Sequence, residues 1–426
     1  MVSGNWVTGD HLHIEFPSTP DALRHGGAPF LTRALRASGT LGTDETVRRI
    51  DRFEEVSGGS TGRKVLLDVE YEQSQPGLPT ELFVKFSRDF DDPIRDNGRT
   101  QMDSEVRFAR LSSTPGFPIA VPSTQFADYH GASGTGILIT ERIPFGASGI
   151  EPKYDKCLDY EIPDPVGHYR ALVTALGRLA GAHHAGTLPG ALAGRFPVDL
   201  RAAAVGEPKP LVAEKLSRDI DRLVSFVADY PGLLPDNVRV PDFLGRLGEE
   251  AHEVMRKEDA IWAHLGAEPA YLGLCHWNAN IDNAWFWRTA DGELHCGLMD
   301  WGCVSQMNLA MAVWGCLSGA ETTMWVEHLD ELLQLMCAEV RTSGGPELDP
   351  AVLAAHLQVY VTLMGITWLL HVPVLVRQKL PDGGPQITPR DPRIKDHERL
   401  RAPLLMLTNV LNLWQMRELD KAIAAI

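Results

Sequence analysis

The spacing of apolar residues changes period once along this chain, and that change limits the fold more than any other feature. From Lys64 to Glu72 the period is two. Val65, Leu67, Val69 and Tyr71 fall on one face and Asp68, Glu70 and Glu72 on the other, the pattern of a half-buried strand. A second strand is expected over Glu81–Phe86 after a Pro/Gly turn at Pro76–Pro79, a helix over Met102–Leu111, and a third strand region over Gly136–Ile143. Further on the period becomes that of a helix. Leu172, Leu176, Leu179 and His183 share one stripe of Tyr169–His184, and Val212, Leu216, Ile220, Leu223 and Val227 share another. Strands first and helices afterwards predict an α+β chain, with an antiparallel sheet and one helix followed by a larger, mostly helical part. Leu23, Phe30, Leu31 and Leu35 read as a helical lead-in that breaks at Gly39–Gly42. With a boundary in the Pro- and Gly-containing stretch from Pro144, three segments follow: 1–50, 51–146 and 147–426.

Composition narrows the partners. The chain carries 40 Lys and Arg against 56 Asp and Glu, a formal charge of −16, which opposes binding to a nucleic-acid backbone or an anionic membrane. Its six cysteines are scattered without a CxxC pair, and Met1–Asp10 has no basic or apolar leader pattern, so a reducing, cytoplasmic setting is expected. The apolar run Val359–Val376 is interrupted by Thr362, Thr367, His371 and Pro373 and reads as a buried core helix.

Chemistry concentrates in the segment His276-Trp-Asn-Ala-Asn-Ile-Asp-Asn283. An aromatic strand, Trp285–Trp287, follows it, and then Leu298-Met-Asp-Trp-Gly302. A kinase catalytic loop places a His, a base two residues later, a metal-binding amide five beyond that, and a metal-binding Asp on a following hairpin. His276, Asn278, Asn283 and Asp300 fall at those offsets; the plainer alternative is an Asn-rich turn between two strands. Upstream, Val56-Ser-Gly-Gly-Ser-Thr-Gly62 precedes the first strand and offers backbone N–H groups suited to phosphate, though it lacks the Walker pattern. Lys85 stands inside the apolar strand Leu82-Phe-Val-Lys-Phe86, where a charge is costly without a partner, and Glu105 on the next helix is a candidate for that partner.

Taken together, these motifs resemble the aminoglycoside phosphotransferase and choline kinase superfamily, and look closest to its ecdysteroid-kinase-like branch. The resemblance implies a bilobal protein-kinase-like fold that holds ATP and Mg²⁺ between its lobes and transfers phosphate to a hydroxyl of a small molecule. It assigns nucleotide contacts to Gly58, Gly59, Ser60, Thr61, Lys85 and Glu105. Glu141 joins them within Ile137–Ile143, the segment whose backbone is expected to meet the adenine edge. It gives the metal to Asn283 and Asp300, and catalysis to His276, Asn278 and Asp300.

Two positions depart from the family pattern. Asn278 stands where the base is an Asp, and Asn308 where relatives commonly have an Asp that braces the loop. General-base assistance is worth about 10²- to 10⁴-fold, or roughly 3 to 5.5 kcal/mol. A nucleotide-binding pseudokinase is therefore the alternative reading, with another ATP-using transferase, such as a nucleotidyltransferase, behind it. One expectation is that the two amides changed together to keep a shared hydrogen-bond network. Asp282, the remaining carboxylate of the loop, is a lesser candidate for the base. His183 is expected to be a hydrogen-bonded core residue, Cys275 not to act as a nucleophile, and Trp314, Trp325 and Trp368 to be core more than pocket.

Overall fold

The computed structural model describes residues 5–56, 62–73, 77–92, 99–203, 210–417, 419–424 and 426. The chain divides into two compact units, and the division is not a simple cut. The first holds the chain up to Ile150 together with Gly186–Pro197 and Gly297–Val304; the second holds Glu151–Ala185, Val198–Cys296 and Ser305–Ile426.

The first unit is built on an antiparallel sheet of five strands: β3 (Val47–Val56), β4 (Lys64–Tyr71), β5 (Glu81–Phe86), β6 (Thr124–His130) and β7 (Thr135–Glu141), in the order β3-β4-β5-β7-β6. The central position of β5 means that both of its faces are covered. Leu82, Val84 and Phe86 point into a core with Val65, Leu67, Ile137 and Ile139, closed by Leu23, Phe30, Leu31 and Leu35 of helix α1 (Pro20–Ala37). The opposite face lies under α2 (Arg99–Ser112), whose Met102, Val106 and Ala109 pack on Ala127, Tyr129 and Leu138. Because strand side chains alternate, Lys85 falls on the α2 side, directly opposite Leu138 in the ladder. α2 sits close to the sheet because β7 has Gly136 beneath it; a Cβ there would lie 2.7 Å from Met102.

The lead-in segment is more than a helix. Two short strands, β1 (Trp6–Thr8) and β2 (Glu15–Pro17), pair before α1. The turn between them is pinned by Asp128, whose carboxylate accepts from the backbone N–H groups of His11 and Leu12, each at 3.0 Å. The start of α1 follows from capping chemistry: the Thr19 hydroxyl accepts from the Ala22 N–H, and Pro20 occupies the first turn.

Helices dominate the second unit. α3 (Pro165–His184) starts at an Asp164 cap that accepts from the Gly167 N–H. Beyond it, Ala213–Asp229, Pro241–Arg256, Leu309–Leu317, Leu329–Thr342, Pro350–Met364 and Glu398–Met416 are helical. Strand β8 (Leu272–His276) pairs with β11 (Val304–Asn308), and β9 (Ala284–Arg288) pairs with β10 (Leu294–Leu298). The apolar run expected as a single core helix is divided. A π-helical turn, Gly365–Leu369, ends the helix from Pro350, and Val372–Lys379 starts a new one just past His371. Among the described residues Pro350–Leu369 is the one helical stretch long and apolar enough to cross a membrane, and 72% of its apolar 18-residue window is buried inside the protein.

Candidate active site

In the first unit three charged groups expected from the sequence meet. The Lys85 ammonium lies 2.6 Å from Glu105 Oε2 and 2.7 Å from Asp300 Oδ1. Side-chain exposure is 3% for Lys85 and 5% for Glu105, but 35% for Asp300, so the pair is sealed and the third member faces solvent. Burial acts against the charged lysine, and the two carboxylates more than offset it, so its pKa is raised. For Glu105 burial raises the pKa, Lys85 opposes that, and the like charge of Asp300 adds to it. The cluster holds one cation against two carboxylates, and the more exposed carboxylate is the one that can turn toward a ligand without uncovering the lysine.

Packing fixes Asp300. Its backbone is left-handed, with φ 62° and ψ 59°, a conformation that Asp tolerates better than most residues and that is often kept at functional sites. On one side the Leu298 N–H donates to the Ala120 carbonyl at 3.0 Å. On the other, the Trp301 ring stacks on Phe108 of α2, with centroids 3.7 Å apart and planes 15° from parallel, and its indole N–H donates to the Leu298 carbonyl. Glu105 and Phe108 are one helical turn apart, so the same helix braces the lysine and carries the Asp300 loop.

The second unit contains the Asn-rich loop. His276 is buried, and its Nδ1 accepts from the Asn278 N–H at 3.1 Å, which places the ring proton on Nε2. Asn280 Nδ2 donates to Asn278 Oδ1 at 2.6 Å, while Asn283 Nδ2 donates to the Asn278 carbonyl at 2.9 Å. Asn283 thus spends its donor on the loop and keeps its side-chain oxygen as a potential ligand. The helix Leu309–Leu317 supports the loop at van der Waals range; a Cβ at Gly315 would come within 1.4 Å of the Trp277 carbonyl oxygen. The Trp277 indole donates to the Tyr360 hydroxyl at 2.7 Å, and Asn280 Oδ1 accepts from Ser318 at 3.4 Å.

Other expectations fare differently. Asn308 does not share a network with Asn278 among its described hydrogen bonds. Its Oδ1 caps the helix that follows by accepting from the Ala310 N–H, and its Nδ2 donates to the Leu265 carbonyl and approaches His356 Nδ1. Glu141 accepts from the Ser123 N–H at 2.8 Å through Oε1. Gly58, Gly59, Ser60 and Thr61 lie outside the described residues. His183 is half-buried, and its Nδ1 is buried without a partner. Burial raises the Cys275 thiol to about 12, which removes it as a nucleophile. Trp314 and Trp325 are buried with rings 5.8 Å apart, in keeping with core, whereas Trp368 is half-buried. The sequence reading gave no weight to Asp159. It is buried, accepts from the Tyr169 hydroxyl and the Glu321 N–H, and is pushed up to about 6 by burial.

Among solved structures, the chain is similar to small-molecule phosphotransferases. A microcompartment-associated aminopropanol kinase is 15% identical, with 92% of this chain and 98% of that chain covered at a TM-score of 0.44. A spectinomycin phosphotransferase in complex with ADP and spectinomycin is 10% identical, covering 86% and 93% at 0.41. A choline kinase from Cryptosporidium parvum is 12% identical, covering 88% and 91% at 0.42. No family model and no curated protein matches the sequence.

Proposed function

We propose that this chain is an ATP- and Mg²⁺-dependent phosphotransferase acting on a hydroxyl of a small molecule. The observation that carries the reading is the sealed Lys85 ammonium held between Glu105 and Asp300, at 2.6 and 2.7 Å. A lysine buried to this degree in a strand is expensive unless its charge has a use, and a polyphosphate is the ligand whose charge and geometry match a fixed ammonium braced by one carboxylate. In this reading Lys85 holds the α- and β-phosphates, Glu105 keeps Lys85 in place, and Gly58–Thr61 and the backbone around Glu141 cover the nucleotide.

The donor chemistry suits a hard divalent cation. Asp300 offers a partly exposed carboxylate, and Asn283 retains its side-chain oxygen after its amide N–H is used on the Asn278 carbonyl. Asn283 and Asp300 would hold Mg²⁺, which when bound neutralises charge on the β- and γ-phosphates. His276 fixes the loop by accepting from the Asn278 N–H, and Asn278 orients the acceptor without removing its proton.

A second reading has its own support. The side-chain oxygen of Asn278 accepts from Asn280, and an amide there does not take up a proton as a carboxylate does, which favours a nucleotide-binding pseudokinase. Mg²⁺-dependent ATP consumption, measured across hydroxylated metabolites, sterols and antibiotics with Asp300→Ala as control, separates the two. The enzyme reading expects one acceptor class to stimulate turnover in the parent chain and none in the variant. Nucleotide binding with no stimulated turnover, together with activity created by Asn278→Asp, transfers the assignment to the pseudokinase.

A further inference from the structure

His168 stands one turn into α3, after Pro165 and the Asp164 cap, and its side chain is 1% exposed. Each of its ring nitrogens faces an acceptor. Nδ1 lies 2.5 Å from the Asp164 carbonyl oxygen, and Nε2 lies 2.7 Å from Glu151 Oε2. The same Glu151 oxygen accepts from the Tyr154 hydroxyl at 2.9 Å, while Glu151 Oε1 is 3.6 Å from Arg288 Nε. All of these residues belong to the second unit, and none has a role in the reading above.

A neutral imidazole has one N–H, so it would set a lone pair against either the carbonyl or the carboxylate. Two arrangements avoid that. Either the ring holds both protons against an ionised Glu151, or a protonated Glu151 donates to Nε2. The neighbours favour the first, because Tyr154 and Arg288 both offer donors to the Glu151 carboxylate. Burial and the bond to Glu151 push the Tyr154 hydroxyl up to about 12, which keeps it a donor. Arg288 and the N-terminal end of α3 oppose a cation at His168, whereas the Asp159 carboxylate, within electrostatic reach, favours one. The Asp164 carboxylate accepts from the Gly167 N–H and lies 3.8 Å from Arg288 Nη2. The remaining wall is aromatic, with the Phe286 and Tyr154 rings edge-on at 4.5 and 5.2 Å.

We propose that His168 carries both ring protons in the folded chain, and that its bond to Glu151 is a proton-dependent latch on the segment Glu151–Tyr154. The inference is independent of the phosphotransferase reading. Glu151 also ties this segment to β9, because its backbone N–H donates to the Phe286 carbonyl at 2.8 Å. β9 begins at Ala284, directly after Asn283. When the ring gives up its Nε2 proton, a lone pair faces the carboxylate and the latch opens. The contact between Glu151 and Phe286 then loses its second anchor, so rising pH loosens the support of β9 beside Asn283.

Histidine ¹⁵N spectra of the full chain without ligand test the protonation directly, at about pH 7.5, roughly one unit above the titration of a free histidine. His168 is expected to show two protonated nitrogens there, while the exposed His13 and His25 each show one. In Glu151→Gln, His168 is expected to lose its Nε2 proton at the same pH. Amide hydrogen exchange at position 151, corrected for the intrinsic rate, reads the latch itself. A proton held more tightly in the closed state than in the open one favours closure fully at low pH, and that contribution is lost as pH rises. The opening constant of the parent is therefore expected to rise by up to about tenfold per pH unit above about pH 6.5, and that of Glu151→Gln to stay flat. An unprotonated His168 nitrogen in the parent at about pH 7.5 overturns the proposal, and so does exchange in the parent no more pH-dependent than in the variant. Should Glu151→Gln fail to fold, the spectrum of the parent chain decides alone.

Discussion

Lys85 has two carboxylate partners, and they are not equivalent. Glu105 is sealed with it, whereas Asp300 keeps 35% side-chain exposure and is the partner that a ligand can recruit. Glu105→Ala is therefore expected to destabilise the fold by about 3 kcal/mol, the lower end for breaking a buried pair, because Asp300 still balances the lysine. Urea unfolding measures this, and a loss below about 1 kcal/mol would show the pair to be loosely held. A second residue-scale expectation concerns Asp159. Its folded pKa, about 6, lies above the 3.8 of an ordinary Asp. A raised carboxylate binds its proton more tightly in the folded chain, so its contribution is complete below about pH 4 and is lost as pH rises through about 6. The amount is about 3 kcal/mol at 1.36 kcal/mol per pKa unit. Relative to the parent, Asp159→Asn is expected to gain stability progressively across that window; parallel curves would contradict it.

At the scale of elements, α2 joins the brace for Lys85 to the loop that carries Asp300. Phe108→Ala removes one ring of the stack with Trp301, and is expected to cost about 3 to 5 kcal/mol of stability and to change the Trp301 emission. Unaltered fluorescence and stability would mean that the stack does not hold the loop. Much of this element was legible in the sequence, because a lysine among Leu82, Phe83, Val84 and Phe86 demands a counter-charge and Glu105 follows on the next helix. Other elements were not legible. β3 reads Val-Arg-Arg-Ile-Asp-Arg-Phe-Glu-Glu-Val, an edge strand so charged that its alternation is hidden, and β1 and β2 have three residues each, too few for a period to show. Asn308 was misjudged for a different reason. Its position suggested a brace for the loop, but an Asn just before an apolar helix is also a cap, and capping takes its oxygen.

For the molecule as a whole, ligand binding and folding are linked. Mg·ATP at a hundredfold excess over its Kd is expected to raise the unfolding free energy by about 2.7 kcal/mol, and ATP with a chelator by much less. The fold carries a charge of −16, so affinity for a polyanion must come from a local arrangement of donors and cations and not from the field of the chain. Calorimetric titration of Mg·ATP into the parent chain and into Asp300→Ala is the most direct measurement of that arrangement. A Mg²⁺-dependent affinity that Asp300→Ala loses by tenfold or more is the predicted result. A parent chain that binds no nucleotide, or a variant that binds as tightly as the parent with the same Mg²⁺ dependence, would contradict the assignment of Lys85, Glu105 and Asp300 to a nucleotide site.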